Sequence, residues 1–115
     1  MSIPSEIETI IHRLNEELDR IEQKAREGSN LVRQILAVFI DNAIMIQYLA
    51  YLNASLLFVE TSRRQIQITV ELISPDDVTA LEIQEAGEDL GSILGRALET
   101  KIRVERIINN LEELQ

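Results

Sequence analysis

The stretch from Asp76 to Asp89 holds six carboxylates (Asp76, Asp77, Glu82, Glu85, Glu88 and Asp89) and no basic residue. On a helix, spacings of three and four residues put side chains on one face, so Glu82, Glu85 and Asp89 fall together. Clustered carboxylates are hard oxygen ligands, and the chemistry they suit is magnesium-assisted hydrolysis of phosphate esters. A plainer account is a solvated face at a helix start, where acids complement the positive end of the helix dipole. The lone histidine, His12, follows Glu8 by four residues. A di-metal carboxylate bundle uses Glu-x-x-His on two helices with further glutamates. Residue 9 is Thr, His12 has no second histidine to join it, and the most apolar segment contains no Glu. A surface histidine is the expectation, with no metal and no cofactor. Cysteine is absent, which removes thiolate ligands, thiol nucleophiles and disulfides together. No catalytic residues are assigned, and the expectation is a protein that is not an enzyme.

A different kind of chemistry, helix against helix, has a stronger signal. Between Ile35 and Val59 the chain runs 25 residues with a single charge, Asp41. Twenty of the 25 are apolar or aromatic, and all four aromatics (Phe39, Tyr48, Tyr51, Phe58) lie there. A helix apolar on every side must be covered by its own chain, by a partner or by lipid. Asp41, Asn42, Gln47, Asn53 and Ser55 are its polar residues and need partners if buried. Gly87, Gly91 and Gly95 are four apart and share one helix face. Each costs a helix roughly 0.5–1 kcal/mol relative to alanine, so three together point to close approach of a neighbour.

The elements that would hold these residues follow from periodicity. Pro4 suits a first helical turn. Ile7, Ile10, Ile11, Leu14, Leu18, Ile21 and Ala25 form one apolar stripe at spacings of three and four. Gly28-Ser29-Asn30 reads as a helix stop followed by a cap, which starts a second helix near Leu31. Asp41-Asn42 is the one polar pair able to break that second helix, with Asp41 as N-cap. Beyond it, Met45, Leu49, Leu52, Leu56, Val59, Ile66, Val70 and Ile73 alternate four and three apart, with Arg63 in the remaining step. That is a heptad seam. Residues 65–73 also alternate apolar and polar with a strand period. The heptad passes through them without a turn signal, which favours helix. Ser74-Pro75 ends the element, because a residue before proline avoids the helical region. Thr79 and Glu82 form a capping box, so the last helix begins near Ala80. Its seam is Ile83, Gly87, Leu90, Leu94, Ala97, Lys101, Val104, Ile108 and Leu111.

The fold expected is all-α: one domain over residues 1–115, an antiparallel bundle of three long helices, or four if Asp41-Asn42 breaks the second. The apolar segment is expected at its centre, with oligomerisation completing the cover. The interface residues expected are Met45, Leu49, Leu52, Leu56, Val59, Gly87, Gly91 and Gly95. The partner expected is another copy, as a homodimer or higher homo-oligomer, with a further protein partner open.

Charge and length narrow the function. A net charge of −9 disfavours a nucleic-acid surface, which depends on lysine and arginine at phosphates. It also disfavours anionic lipid. The apolar run has the length of a membrane span. However, Asp41-Asn42 cuts it to 17 residues, Ala43 to Val59, that still hold Gln47 and Asn53, and a membrane span is disfavoured. The first residues lack the basic start of a signal peptide, and a cytoplasmic location is expected.

Two resemblances bear on this reading. Glu82–Glu85 resembles one half of the magnesium site of small all-helical nucleotide pyrophosphohydrolases. The other half departs from the pattern, since Glu16-Glu17 is followed by Arg20 where an acid is wanted. Over most of its length the chain also resembles short cyanobacterial helical proteins of unknown function, some labelled restriction-endonuclease S-subunit-like. The residues that carry this are Asp41-Asn42-Ala43 with Gln47, Tyr51-Leu52-Asn53-Ala54, Val59 to Arg64 and Glu82 to Leu90. A specificity subunit reads DNA through target-recognition domains, for which an acidic helical chain of 115 residues leaves no room. The resemblance implies at most a helical spacer and no functional residues. The activity expected is non-enzymatic: an interaction or scaffold protein working through helix–helix packing.

Overall fold

The computed structural model describes residues 3–114. They form three helices, α1 (Ser5–Val38), α2 (Ala43–Ile73) and α3 (Ala80–Glu113), in a rod of 59 × 19 × 16 Å. A 34-residue helix is about 51 Å long at 1.5 Å per residue, so helix length sets the length of the rod. Residues 17 and 28 of α1 meet residues 101 and 108 of α3, so those two helices run parallel. Residues 22 and 28 of α1 meet residues 63 and 52 of α2, so that pair is antiparallel.

The helix ends follow local chemistry. Pro4 sits just before α1, and its carbonyl accepts from the N–H groups of Ile7 and Glu8. The chain does break at Asp41-Asn42, but the capping residue is Asn42: its Oδ1 accepts from the N–H groups of Ile44 and Met45, both at 3.1 Å. Thr79 Oγ1 accepts from Glu82 N–H at 3.1 Å, the N-cap half of the expected capping box. Residues 65–73 are helical.

Gly28-Ser29-Asn30 does not stop α1, and Leu31 to Val38 belong to it rather than to a second helix. Gly28 has no positive φ. Its use is lack of bulk. A Cβ there would lie 2.9 Å from Ile108 Cδ1 and 3.0 Å from Leu52 Cδ1. Both other helices therefore press on α1 at this residue. The centre of the bundle is accordingly α1 and not the apolar α2. The stripe of Leu14, Leu18, Ile21, Ala25 and Val32 is fully buried between α2 and α3, which touch each other far less than either touches α1.

The seams keep their seven-residue period but shift at alternate steps. Met45, Leu52, Val59, Ile66 and Ile73 are buried as expected. Between them lie Ser55, Ser62 and Thr69, not Leu56, Arg63 and Val70. In α3, Leu90, Ala97, Val104 and Leu111 are fully buried, and Ala86 and Ile93 take the places expected for Gly87 and Leu94. The reason is width. Side chains at i+3 and i+4 lie on either side of the seam line. In α2 the smaller Ser55 and Ser62 take the inner side of the joint, and the larger Leu56 and Arg63 flank it. Two of the buried hydroxyls are satisfied within their own helix: Ser55 donates to Tyr51 carbonyl and Thr69 to Gln65 carbonyl, each at 2.9 Å.

The glycines thus divide. Gly87 receives Ile7 Cδ1 at 3.3 Å from where its Cβ would be, whereas Gly91 and Gly95 have nothing within 4 Å. Replacing Gly28 with leucine is expected to cost about 1–3 kcal/mol by overpacking. Gly91→Ala is expected to add roughly 0.5–1 kcal/mol from helix propensity. Urea denaturation of both variants checks the pair, and equal effects would contradict the close approach at Gly28.

Candidate interaction surface

Successive helical residues turn by about 100°, so residues seven and eleven apart nearly eclipse. Counting both ways from Leu57 gives Ile46, Ala50, Arg64 and Ile68 within about 20° of one line. All five are exposed, on the side of α2 opposite its buried seam. Ile46, Leu57 and Ile68 expose 49%, 63% and 49% of their surface. Asn53, Thr61, Ala43 and Glu71 border the line and are also exposed. The most apolar window of α2, with mean hydropathy 1.4, is only 22% buried. Val38, Phe39 and Ile40 add an apolar tip where α1 turns into α2.

Other faces of α2 are engaged within the chain. Met45, Leu52 and Val59 are buried, and Leu49 and Leu56 are half-buried along the joint. These five expected interface residues therefore pack against the chain's own helices. Gly91 and Gly95 remain open on α3. Tyr48 Oη accepts from Asn110 Nδ2 at 3.0 Å, and the Arg96 guanidinium lies 5.9 Å from the centre of the Phe58 ring. Asn42 is a cap, and Gln47 and Asn53 face solvent. The outward line is what sequence reasoning passed over. Its signal was present in the eleven-residue spacing of Ile46, Leu57 and Ile68 but was hidden among more numerous apolar residues.

Two polar clusters fix the helices around this surface. Glu17 is a buried carboxylate on α1. Its Oε1 accepts from Arg20 at 3.1 Å, and its Oε2 lies 2.6 Å from Lys101 Nζ of α3. That second contact falls outside hydrogen-bond angles, so charge attraction carries it. Arg63 of α2 reaches Asp19 at 2.6 Å and Glu22 at 3.1 Å on α1. The hydrogen bond from Arg63 holds the Glu22 carboxyl below its ordinary range, partial burial opposes this, and the charges of Arg63 and Arg26 add to the lowering.

The candidates for metal chemistry separate cleanly. Glu82, Glu85 and Asp89 do line one open cleft of about 290 Å³ between α2 and α3, together with Thr69, Leu72, Ile73 and Ala86. Among the described residues no three acids or histidines converge closely enough to hold a metal ion. His12 is exposed and its Nε2 lies 2.7 Å from Glu16 Oε1, so its neighbour is Glu16 rather than Glu8.

Lys101→Met should cost about 1–3 kcal/mol by leaving the buried Glu17 Oε2 without its cation, with Arg20 still on Oε1, and adding Glu17→Leu should recover most of that loss. Chemical denaturation of the single and double variants measures it. For Glu22, a lowered folded pKa means stability that is full above the unfolded value and lost as pH falls through the folded one. Arg63→Gln should therefore be slightly less stable than the parent at neutral pH. The two should converge on acidification through and below the ordinary glutamate range; parallel pH profiles would contradict the coupling. No family model, curated protein or solved structure matches this chain.

Proposed function

We propose that this protein acts by association and not by catalysis, as an interaction or scaffold protein whose contact surface is the outward face of α2. The observation that carries it is the exposure of Ile46, Leu57 and Ile68 along one line on the side of α2 opposite its buried seam. Aligned apolar exposure marks contact sites, whereas scattered apolar residues do not. The rod suits such a role. Its three helices bury a continuous one-side-chain-wide core and leave long flat faces outside. The cleft with Glu82, Glu85 and Asp89 gives little support to magnesium chemistry, for want of converging ligands.

A second reading, α2 as a membrane-spanning helix, is favoured by one specific observation: α2 has the length and hydropathy of a membrane span. It would require α2 to leave Asp19 and Glu22, which pair with Arg63, and to strip the cover from α1. Association through the outward face needs no such opening.

A photo-crosslinking residue at position 57, in cells expressing the chain, is expected to form covalent protein adducts. The same group at exposed Glu88 of α3 is expected to form few. Absence of adducts at position 57, or equal yield at both positions, would remove the support for this surface.

A further inference from the structure

We infer that the outward face of α2 pairs with the same face of a second copy, antiparallel, about a twofold axis through Leu57. This rests on the reading of that face as an association surface and names its partner.

The first argument is pairing. A twofold axis at Leu57 sets each residue opposite the one equally far on the other side of position 57. Leu57 then meets Leu57 of the second copy, and Ile46 meets Ile68 twice over. Every large apolar side chain on the outward line gains an apolar partner. Ala50 lies opposite Arg64, so a small residue makes room for the long charged one on the line. A parallel pairing would set Ile against Ile but also Arg64 against Arg64. Buried like charges of that kind are a strong penalty against one arrangement.

The second argument is charge. The chain carries −9, yet α2 holds two acids, Glu60 and Glu71, and two bases, Arg63 and Arg64. The excess acid lies on α1, α3 and the connections. Two copies approaching through α1 or α3 repel, whereas the outward face of α2 carries only Arg64, Glu60 and Glu71 and so is close to neutral.

The third is area. Residues 43–71 span about 43 Å, and a third of the side of a helix about 11 Å across gives roughly 500 Å² per copy. The total of roughly 1,000 Å² sits at the lower bound for a specific interface. The pairing is therefore reversible, and added salt tightens it by screening the acidic remainder.

The chain contains no cysteine, so single cysteines report the geometry directly. Purified full-length chain should double its weight-average mass from 13.1 kDa across a concentration series in sedimentation equilibrium, at lower concentration in high salt. Treated with a short bis-maleimide, Leu57→Cys should give a covalent dimer. Ile46→Cys alone and Ile68→Cys alone should not, because in this arrangement each lies about 33 Å from its own copy. A mixture of the two should cross-link. All three sites are exposed, and circular dichroism verifies that each variant keeps its helices. Leu57→Glu provides a second line: it should hold the chain monomeric with unchanged helicity. A chain that stays monomeric at all concentrations overturns the inference, as does an Ile46→Cys self-cross-link or a dimer indifferent to Leu57→Glu. Flotation of the monomer with neutral phosphatidylcholine vesicles overturns it in favour of lipid. Adducts from position 57 to a different protein, with a monomeric chain, overturn self-pairing but leave the proposed function standing. Loss of all adducts removes both.

Discussion

At Gly28 the central helix has no side chain, and Leu52 from α2 and Ile108 from α3 occupy the space a Cβ would need. Three helices of this length laid side by side have a core only about one side chain wide. Such a core has no depth in which an error of fit can relax, since interiors are packed as densely as organic crystals. The closeness at Gly28 sets the spacing there, and the neighbouring layers inherit it. Ser55 and Ala25 near it are small and buried, and the wider Leu18, Ile21 and Leu90 fill layers farther along. The Glu17–Lys101 and Arg63–Glu22 pairs then hold α3 and α2 at fixed heights along α1. A pure apolar seam with a seven-residue repeat can slide by one repeat at modest cost. A buried carboxylate with one matching lysine cannot.

The helical class and most boundaries were legible because they depend on local chemistry. Thr79, Pro75 and the stripe from Ile7 to Ala25 each act within a turn or two of the chain, and the structure keeps all of them. What was not legible depends on contacts distant in sequence. Gly28 followed by Ser29 and Asn30 is a helix stop by every local rule, and only the arrival of Leu52 and Ile108 explains why it is a packing site instead. The seam positions fail for a related reason. Leu56 is more apolar than Ser55, and Leu94 is about as apolar as Ile93, but a seam is chosen by how close the backbones come. Hydropathy at single positions carries no information about that distance. The three acids, Glu82, Glu85 and Asp89, were correctly placed on one face, and the cleft they line is real. Whether carboxylates converge on a point depends on what stands opposite, and here Thr69, Leu72 and Ile73 do.

The narrow core also explains why α2 is the helix with something left over. Each helix of the rod can bury only one stripe, against the joint it shares with α1 and its edge toward the third helix. For α1 and α3 that covers most of their large apolar residues, with Val38, Leu81 and Ile102 as exceptions, and their remaining faces are mostly polar. α2 has apolar residues on all sides and one stripe's worth of cover. Its composition therefore exceeds what this fold consumes. The placement of the surplus is ordered: Ile46, Leu57 and Ile68 recur at eleven residues, and small or polar residues stand between them.

That order separates a contact surface from a liability. A continuous exposed apolar strip on a small rod would associate without direction. Ala50, Asn53, Thr61 and Arg64 interrupt this one, so a partner gains from it only in a register that sets apolar on apolar. The acidic excess on α1 and α3 works in the same sense by discouraging approach from other sides. Interrupted apolar spacing limits the registers, and the distribution of charge limits the faces. Together these two features, at the outward face of α2 about Leu57, are what the proposed association rests on.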